Sequence, residues 1–276
     1  FELSLIIGSI ISSDMIEVMD LVHVIILSIV EGITEFLPVS STGHLILATK
    51  LMGITETEFT KSFDIIIQLG AIMAVITLYT KKILRRPKLI LPILTGFIPT
   101  GVLGIVFYKT IKSYLLGNDT VVVGALAAVG IILILLERFW QSKKVTVQDS
   151  VNELPLWKYA VIGLFQSVSM IPGVSRSAAS IVGGIMMGMK RETAVEFCVL
   201  LAVPTMAAAT GFDLLKSSHA FSRNEILILL TGFVISWITA LIVVNAFIRF
   251  MKRATFTPFG WYRIAAAIIY WSMMRV

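Results

Sequence analysis

The chain has 276 residues, of which 57% are hydrophobic and only 14% charged, with a formal net charge of +6 and a mean hydropathy of +0.92. These values lie outside the range of soluble domains and identify an all-α polytopic membrane protein. The basic residues fall in short loops between apolar runs, so the positive charge follows the topology rule for membrane proteins and no nucleic-acid partner is expected.

In chain order, residues 1–14 (FELSLIIGSIISSD) lack an initiator methionine and the basic start of a cleavable signal peptide, and read as a terminal remnant or loose extension. Residues 15–53 follow as a broken pair of helices: an apolar helix over 15–36 is stopped by Pro38, which lacks a backbone donor and clashes with the preceding turn. A second helix is predicted from Ser41 or Thr42, since hydroxyl side chains cap helix starts. Apolar runs at 63–80, 89–108 and 119–139 are long enough to cross a core of roughly 30 Å. A charged connection at 140–156 leads to a second broken pair at 157–190, interrupted at Pro172-Gly173, with the next helix opening over Ser175 to Ser177. Three further spans are predicted at 194–215, 225–248 and 257–274, six in all. Cys198 sits in one of these runs and reads as a small buried side chain; a single cysteine excludes a disulfide framework and a cysteine metal site.

The two halves, 15–139 and 157–276, are related. EGITEFLPVSS at 31–41 aligns with QSVSMIPGVSR at 166–176, Phe63 with Phe197, and TGFI at 95–98 with TGFV at 231–234. One broken pair plus three spans per half makes an odd number of crossings, so the halves enter the membrane in opposite directions: an inverted-topology repeat. With both termini outside, fourteen Lys and Arg residues fall in inner loops and seven in outer segments, the bias expected for that orientation. Non-helical backbone at membrane depth survives only inside protein or beside a water-filled cavity, so both breaks are predicted to line one.

The polar residues cluster at those breaks. Glu31 and Glu35 are spaced i, i+4 and share a helix face. They either bridge helices or hold a proton or cation between them, and oxygen ligands of this kind suit Mg²⁺ or Ca²⁺. His44 lies three residues beyond Ser41 and closes a cluster with Ser40, and an imidazole there suits proton transfer. His23 and His219 read as packing residues. In the second half Arg176 stands at a helix start, where its guanidinium and the free backbone N–H groups suit a phosphate. A buried salt bridge to Glu196 or Asp213 is the structural alternative. Ser175, Ser177 and Ser180 supply further hydroxyls or bond back to their own helix. Gln68, Asp64, Gln166 and Arg263 are second candidates for the cavity wall, and Gly183, Gly184 and Gly188 read as packing glycines. A nucleophile, a proton carrier, a cation site and an anion clamp together make the parts for phosphoryl transfer. No nucleotide-binding loop is present, so a substrate with its own lipid tail is expected.

EGITEFLPVSSTGH and PGVSRSAAS closely resemble the two signature motifs of the bacterial undecaprenyl-diphosphate phosphatases, the BacA/UppP family, and FDIIIQLGAI and LLAVP resemble further family segments. The resemblance covers roughly residues 17–276. It implies an integral-membrane phosphoric anhydride hydrolase of the bacterial cytoplasmic (inner) membrane. That enzyme would convert undecaprenyl diphosphate to undecaprenyl phosphate and phosphate, recycle the lipid carrier of cell-wall synthesis and confer bacitracin resistance when overproduced. By the same resemblance the catalytic set is Glu31, Glu35, Ser41, His44 and Arg176, with Ser40, Thr42, Gly173, Ser175, Ser177 and Ser180 around the phosphates and a divalent cation (Mg²⁺ or Ca²⁺) at Glu31 and Glu35. Ser180 stands where the family pattern usually has threonine, which keeps the hydroxyl and drops the methyl that fixes its rotamer. Ser41, His44 or an activated water remains open as the attacking group, as do the side on which the cavity opens and association as a homodimer. The competing class is an inverted-repeat flippase or transporter of a phosphorylated lipid, because fold alone does not fix function.

Overall fold

The computed structural model describes residues 19–110, 113, 117–141, 151, 154–216 and 221–274. The extension at 1–14, most of the connection at 140–156 and His219 lie outside them.

Ten α-helices form among the described residues. The first broken pair is α1 (Leu21–Thr34) and α2 (Ser41–Leu51). At about 1.5 Å per residue they are about 21 and 16 Å long, too short to cross a bilayer core. The sequence reading began α1 at residue 15, but the helix starts after Asp20, whose extended backbone forms the N-cap, and it ends at Thr34, four residues before Pro38. Next come α3 (Glu58–Arg85), opened by a reciprocal Thr57/Thr60 capping box, α4 (Ile90–Thr110) and α5 (Asp119–Gln141). The second broken pair is α6 (Leu156–Ser167) and α7 (Arg176–Met186), joined through a short 3₁₀ turn at Val168–Met170. Then follow α8 (Arg191–Lys216), α9 (Arg223–Met251), again opened by a capping box, Ser222/Glu225, and α10 (Thr257–Met273).

Five of these helices, α3, α4, α5, α8 and α9, are long and apolar enough to cross a membrane. The sixth expected span forms α10, only 17 residues long, which packs along α5. The protein is therefore an all-helical, multi-pass membrane protein.

The halves interlock. α1 packs on α9, and α6 packs on α4, so each first short helix leans on a long helix of the other half. The approach is close enough to require glycine: a Cβ on Gly163 of α6 would sit 2.1 Å from the carbonyl oxygen of Gly96 on α4. α7 is wedged between α6 and α8, with most of its residues buried. The main apolar core includes Phe36, Val174, Ile181 and Phe197, so both breaks, at 35–40 and 171–175, are packed into it.

Candidate active site

Both helix starts are set by the same local device. Ser40 (φ 75°, ψ 94°) caps α2 and accepts a hydrogen bond from Gly43 N at 3.3 Å; Ser175 (φ 78°, ψ 119°) caps α7 and accepts one from Ala178 N, also at 3.3 Å. They are the two non-glycine residues with positive φ among the described residues. Gly173, at φ +92°, completes the second turn, and a Cβ there would lie 2.5 Å from Val122 O. The pre-proline geometry of an ordinary break does not demand such backbone. Holding it costs about 1–3 kcal/mol per residue and needs a rigid surround.

Arg263 supplies much of that surround. Fully buried on α10, it donates from Nη1 to Pro38 O at 3.1 Å and from Nη2 to Gly173 O at 2.7 Å and Val174 O at 3.1 Å. The same group donates to Ala125 O and Leu126 O on α5. One guanidinium thus ties the carbonyls of both breaks to α5. Arg263, a second candidate for the cavity wall by sequence, is not among the residues lining the cavity.

Around the helix starts lies a cavity of about 840 Å³. Its polar end is formed by Glu35, Ser40, Ser41, Thr42, Ser175 and Arg176, and its wall continues along α4 from Phe97 to Lys109 and along α8 from Thr205 to Asp213. Ser41 Oγ donates to Glu35 Oε2 at 2.6 Å. Arg176 Nη2 donates to Glu35 Oε1 at 3.3 Å and to the Glu35 carbonyl at 3.4 Å, while Nη1 donates to Cys198 O at 3.1 Å. The guanidinium lies over the Phe36 ring, 5.5 Å from its centroid. Its Nε has no hydrogen-bond partner among the described residues. The pair Arg176–Glu35 is well buried, with side chains 10% and 5% exposed. Neither partner foreseen for Arg176 takes part in it; Glu196 instead pairs with Lys82.

The first-turn N–H groups of α2 and α7 lack intrahelical acceptors, and Ser41 and Arg176, the first residues of those helices, both line the cavity. Two helix N-termini and one guanidinium therefore converge on the same space, an arrangement that favours an anion.

The other expected site residues lie behind this surface. Glu31 is 1% exposed, does not line the cavity, and neither of its oxygens has a hydrogen-bond donor among the described residues. Ser177 Oγ donates to Leu37 O at 2.6 Å, so the contact of 2.9 Å between Ser175 and Ser177 must use the Ser175 proton. Ser177 thereby fastens the second break to the first. Ser180 is fully buried and its Oγ lies 2.9 Å from Arg176 O and 3.0 Å from Gln166 Oε1. Gln166 Nε2 donates to Thr100 and Thr205, both at 3.0 Å. His44 is half-buried and absent from the cavity lining: Nδ1 sits 2.7 Å from Ser40 O and Nε2 2.7 Å from Tyr262 Oη. Gln68 lines the cavity and Asp64 does not.

Sequence reasoning missed Thr100, Thr205, Lys109 and Tyr262. The hydroxyls inside otherwise apolar runs were a usable signal for the two threonines. Tyr262 gave only one, its place beside Arg263.

A family model described as bacitracin resistance protein BacA matches residues 24–269. The chain belongs to this family. It is 50% identical to undecaprenyl-diphosphatase of Aquifex aeolicus over 246 residues, 89% of this chain and 95% of that one. The corresponding protein of Sulfurihydrogenibium sp. is 47% identical over 92% of this chain and 99% of its own, and that of Thermus thermophilus 45% over 89% and 94%. The match runs through both breaks and all the helices that frame the cavity.

Proposed function

We infer that the chain is an integral-membrane undecaprenyl-diphosphatase, hydrolysing undecaprenyl diphosphate to undecaprenyl phosphate and inorganic phosphate. The relatives that bear this activity in their names match over about nine-tenths of the chain. The observation that carries the chemistry is the Ser41 hydroxyl bonded to Glu35, with Arg176 on the other carboxylate oxygen, inside a cavity whose wall along α4 and α8 is mostly apolar. A membrane carrier of lipid needs no such serine–carboxylate pair.

In the proposed reaction Arg176 and the N–H groups opening α2 and α7 hold the terminal phosphate, and Phe97, Ile105, Met206 and Phe212 face the prenyl chain. Ser41 Oγ attacks the terminal phosphorus and its proton passes to Glu35. The bond to the bridging oxygen breaks, and undecaprenyl phosphate leaves with that oxygen. Water then cleaves the phosphoserine: its proton is lost as phosphate forms, and Ser41 recovers the proton held on Glu35. In this reading Glu35 is the immediate base, where the sequence suggests His44 for proton transfer; the Ser41 hydroxyl bonded to Glu35 supports that choice.

In this reading a divalent cation would be held by Glu31, from behind the cavity surface that Glu35 lines. Glu31 offers two buried oxygens with no donor among the described residues, next to Glu35. No group of three His, Cys, Asp or Glu side chains gathers among the described residues, so the remaining ligands would be phosphate oxygens and water, the usual manner of Mg²⁺. Bound there, a cation would offset charge on the transferring phosphoryl group.

The inverted repeat belongs to the same proposal. Ser40 and Ser175 share their conformation at an offset of 135 residues, α1 on α9 mirrors α6 on α4, and Gly130 and Gly260 face each other's carbonyls where α5 crosses α10. With basic loops inside, the C-terminal ends of α4 and α8, and with them Lys109 and Asp213, lie on the outer side. The cavity then opens outward from the bacterial cytoplasmic membrane.

The test is phosphate release from undecaprenyl diphosphate by the purified protein, with a single-turnover quench to trap the intermediate. An acid-stable phosphoserine that disappears in Ser41→Ala is expected. Release that persists in Ser41→Ala, or an acid-labile phosphohistidine, would overturn the assignment.

A further inference from the structure

His44 occupies both ring nitrogens away from the cavity. Ser40 O can only accept, so Nδ1 carries a proton and donates to it at 2.7 Å, and in the neutral ring Nε2 then accepts from the Tyr262 hydroxyl at 2.7 Å. The two rings lie within 4° of parallel with centroids 5.5 Å apart. Tyr262 on α10 immediately precedes Arg263, which holds the carbonyls of both breaks. Ser40, at the other end of the chain of bonds, is the strained N-cap that immediately precedes Ser41.

We propose that Tyr262 and His44 are positioning residues: the chain Tyr262 Oη–His44–Ser40 O holds the positive-φ turn that aims Ser41 at the phosphorus, and His44 takes no proton from the reacting groups. Three bonds carry this. The ring donates to the carbonyl of a residue in a conformation that costs energy to hold. The hydroxyl fixes the tautomer that lets it donate. Ser41 already has a base in Glu35. The Ser40 carbonyl also accepts the helix bond from His44 N at 3.2 Å, so the ring bond is a second grip on the same carbonyl, while the Ser40 side chain is engaged separately with Gly43 N. Tyr262 and Arg263 thus make α10 the element that bonds both to His44 and to the carbonyls of the breaks.

The inference rests on Ser41 being the nucleophile, and the test separates the two. His44→Asn keeps an N–H donor close to the place of Nδ1 and cannot relay a proton at neutral pH, whereas His44→Ala removes both. Phosphate release with undecaprenyl diphosphate is measured for His44→Ala, His44→Asn, Tyr262→Phe and Tyr262→Phe/His44→Ala. The expected result is a large loss of kcat in His44→Ala, substantial recovery in His44→Asn, and about a three- to tenfold loss of kcat in Tyr262→Phe with KM within about twofold, the effect of one neutral hydrogen bond. The double variant should be no worse than His44→Ala, because the hydroxyl acts only through the ring. His44→Asn as inactive as His44→Ala would overturn the proposal in favour of proton transfer by His44. Losses that multiply in the double variant, or Tyr262→Phe at the wild-type rate, would overturn the part given to Tyr262. A wild-type enzyme that forms no Ser41 phosphoenzyme would instead overturn the underlying reading.

Discussion

Ser40 and Ser175, 135 residues apart, have φ of 75° and 78° and cap the two helices that open onto one cavity. Each combines an unfavourable backbone conformation with a favourable side-chain cap, and the two effects separate by substitution. Glycine relieves the backbone and loses only a few tenths of a kcal/mol of capping; alanine keeps the strain and loses about 1 kcal/mol. At both positions Ser→Gly should therefore unfold at a higher temperature than Ser→Ala in detergent thermal-shift measurements. The reverse order at either site would mean that the Cβ itself is held by contacts outweighing the strain.

Arg176 and Glu35 form a buried ion pair to which the proposed reaction also gives a catalytic part. Arg176→Ala leaves the Glu35 carboxylate without its cation, a loss of about 3–5 kcal/mol when a buried pair is broken on one side. Adding Glu35→Gln to Arg176→Ala should restore part of the melting temperature and none of the activity. Arg176→Lys keeps the charge but not the fork that spans Glu35 and Cys198 O. Its kcat should fall by about a hundredfold or more, with phosphate release as the readout. A double variant no more stable than Arg176→Ala would remove the ion pair from the account.

The helix starts were legible because their signals are local: Pro38 and Pro172-Gly173 interrupt the helical pattern and hydroxyls after them cap new helices, whereas Pro99 and Pro204 lie inside α4 and α8. Five of the six expected spans were legible from length and hydropathy alone, although charged ends such as Glu58 and Arg85 extend α3 beyond its apolar run. What the sequence hid is which partner each buried polar group meets. Arg176 could be placed in a site but not with Glu35, 141 residues away, and Arg263 looked like cavity wall because nothing local reveals the carbonyls of Pro38 and Gly173 that it holds. The pairing of His44 with Tyr262 spans 218 residues and was equally invisible.

Arg263 lies outside the cavity, yet its replacement should disable the enzyme. Lysine offers one compact ammonium where five hydrogen bonds now reach carbonyls of both breaks and of α5. A buried carbonyl left without a donor costs about 1–3 kcal/mol. Arg263→Lys should lower the melting temperature and reduce kcat more than it raises KM, because it misplaces Ser41 and Arg176 without touching the lipid wall. Unchanged stability in Arg263→Lys would show that the breaks hold themselves.

Glu31 poses the last question, since a buried carboxylate whose two oxygens have no partner among the described residues, beside a second carboxylate, needs either a proton or a cation. With a cation as the partner, chelation with EDTA should abolish phosphate release, and Mg²⁺ or Ca²⁺ should restore it. Because Glu35 is already engaged by Ser41 and Arg176, Glu31 is the side chain with free ligand capacity. Glu31→Gln should therefore raise the cation concentration needed for half the maximal rate by about tenfold or more, while Ser41→Ala should leave cation binding intact when Mn²⁺ is followed by electron paramagnetic resonance. Full activity after exhaustive chelation would assign Glu31 a proton instead, and the charge on the transferring phosphoryl group would then rest on Arg176 and the two helix N-termini.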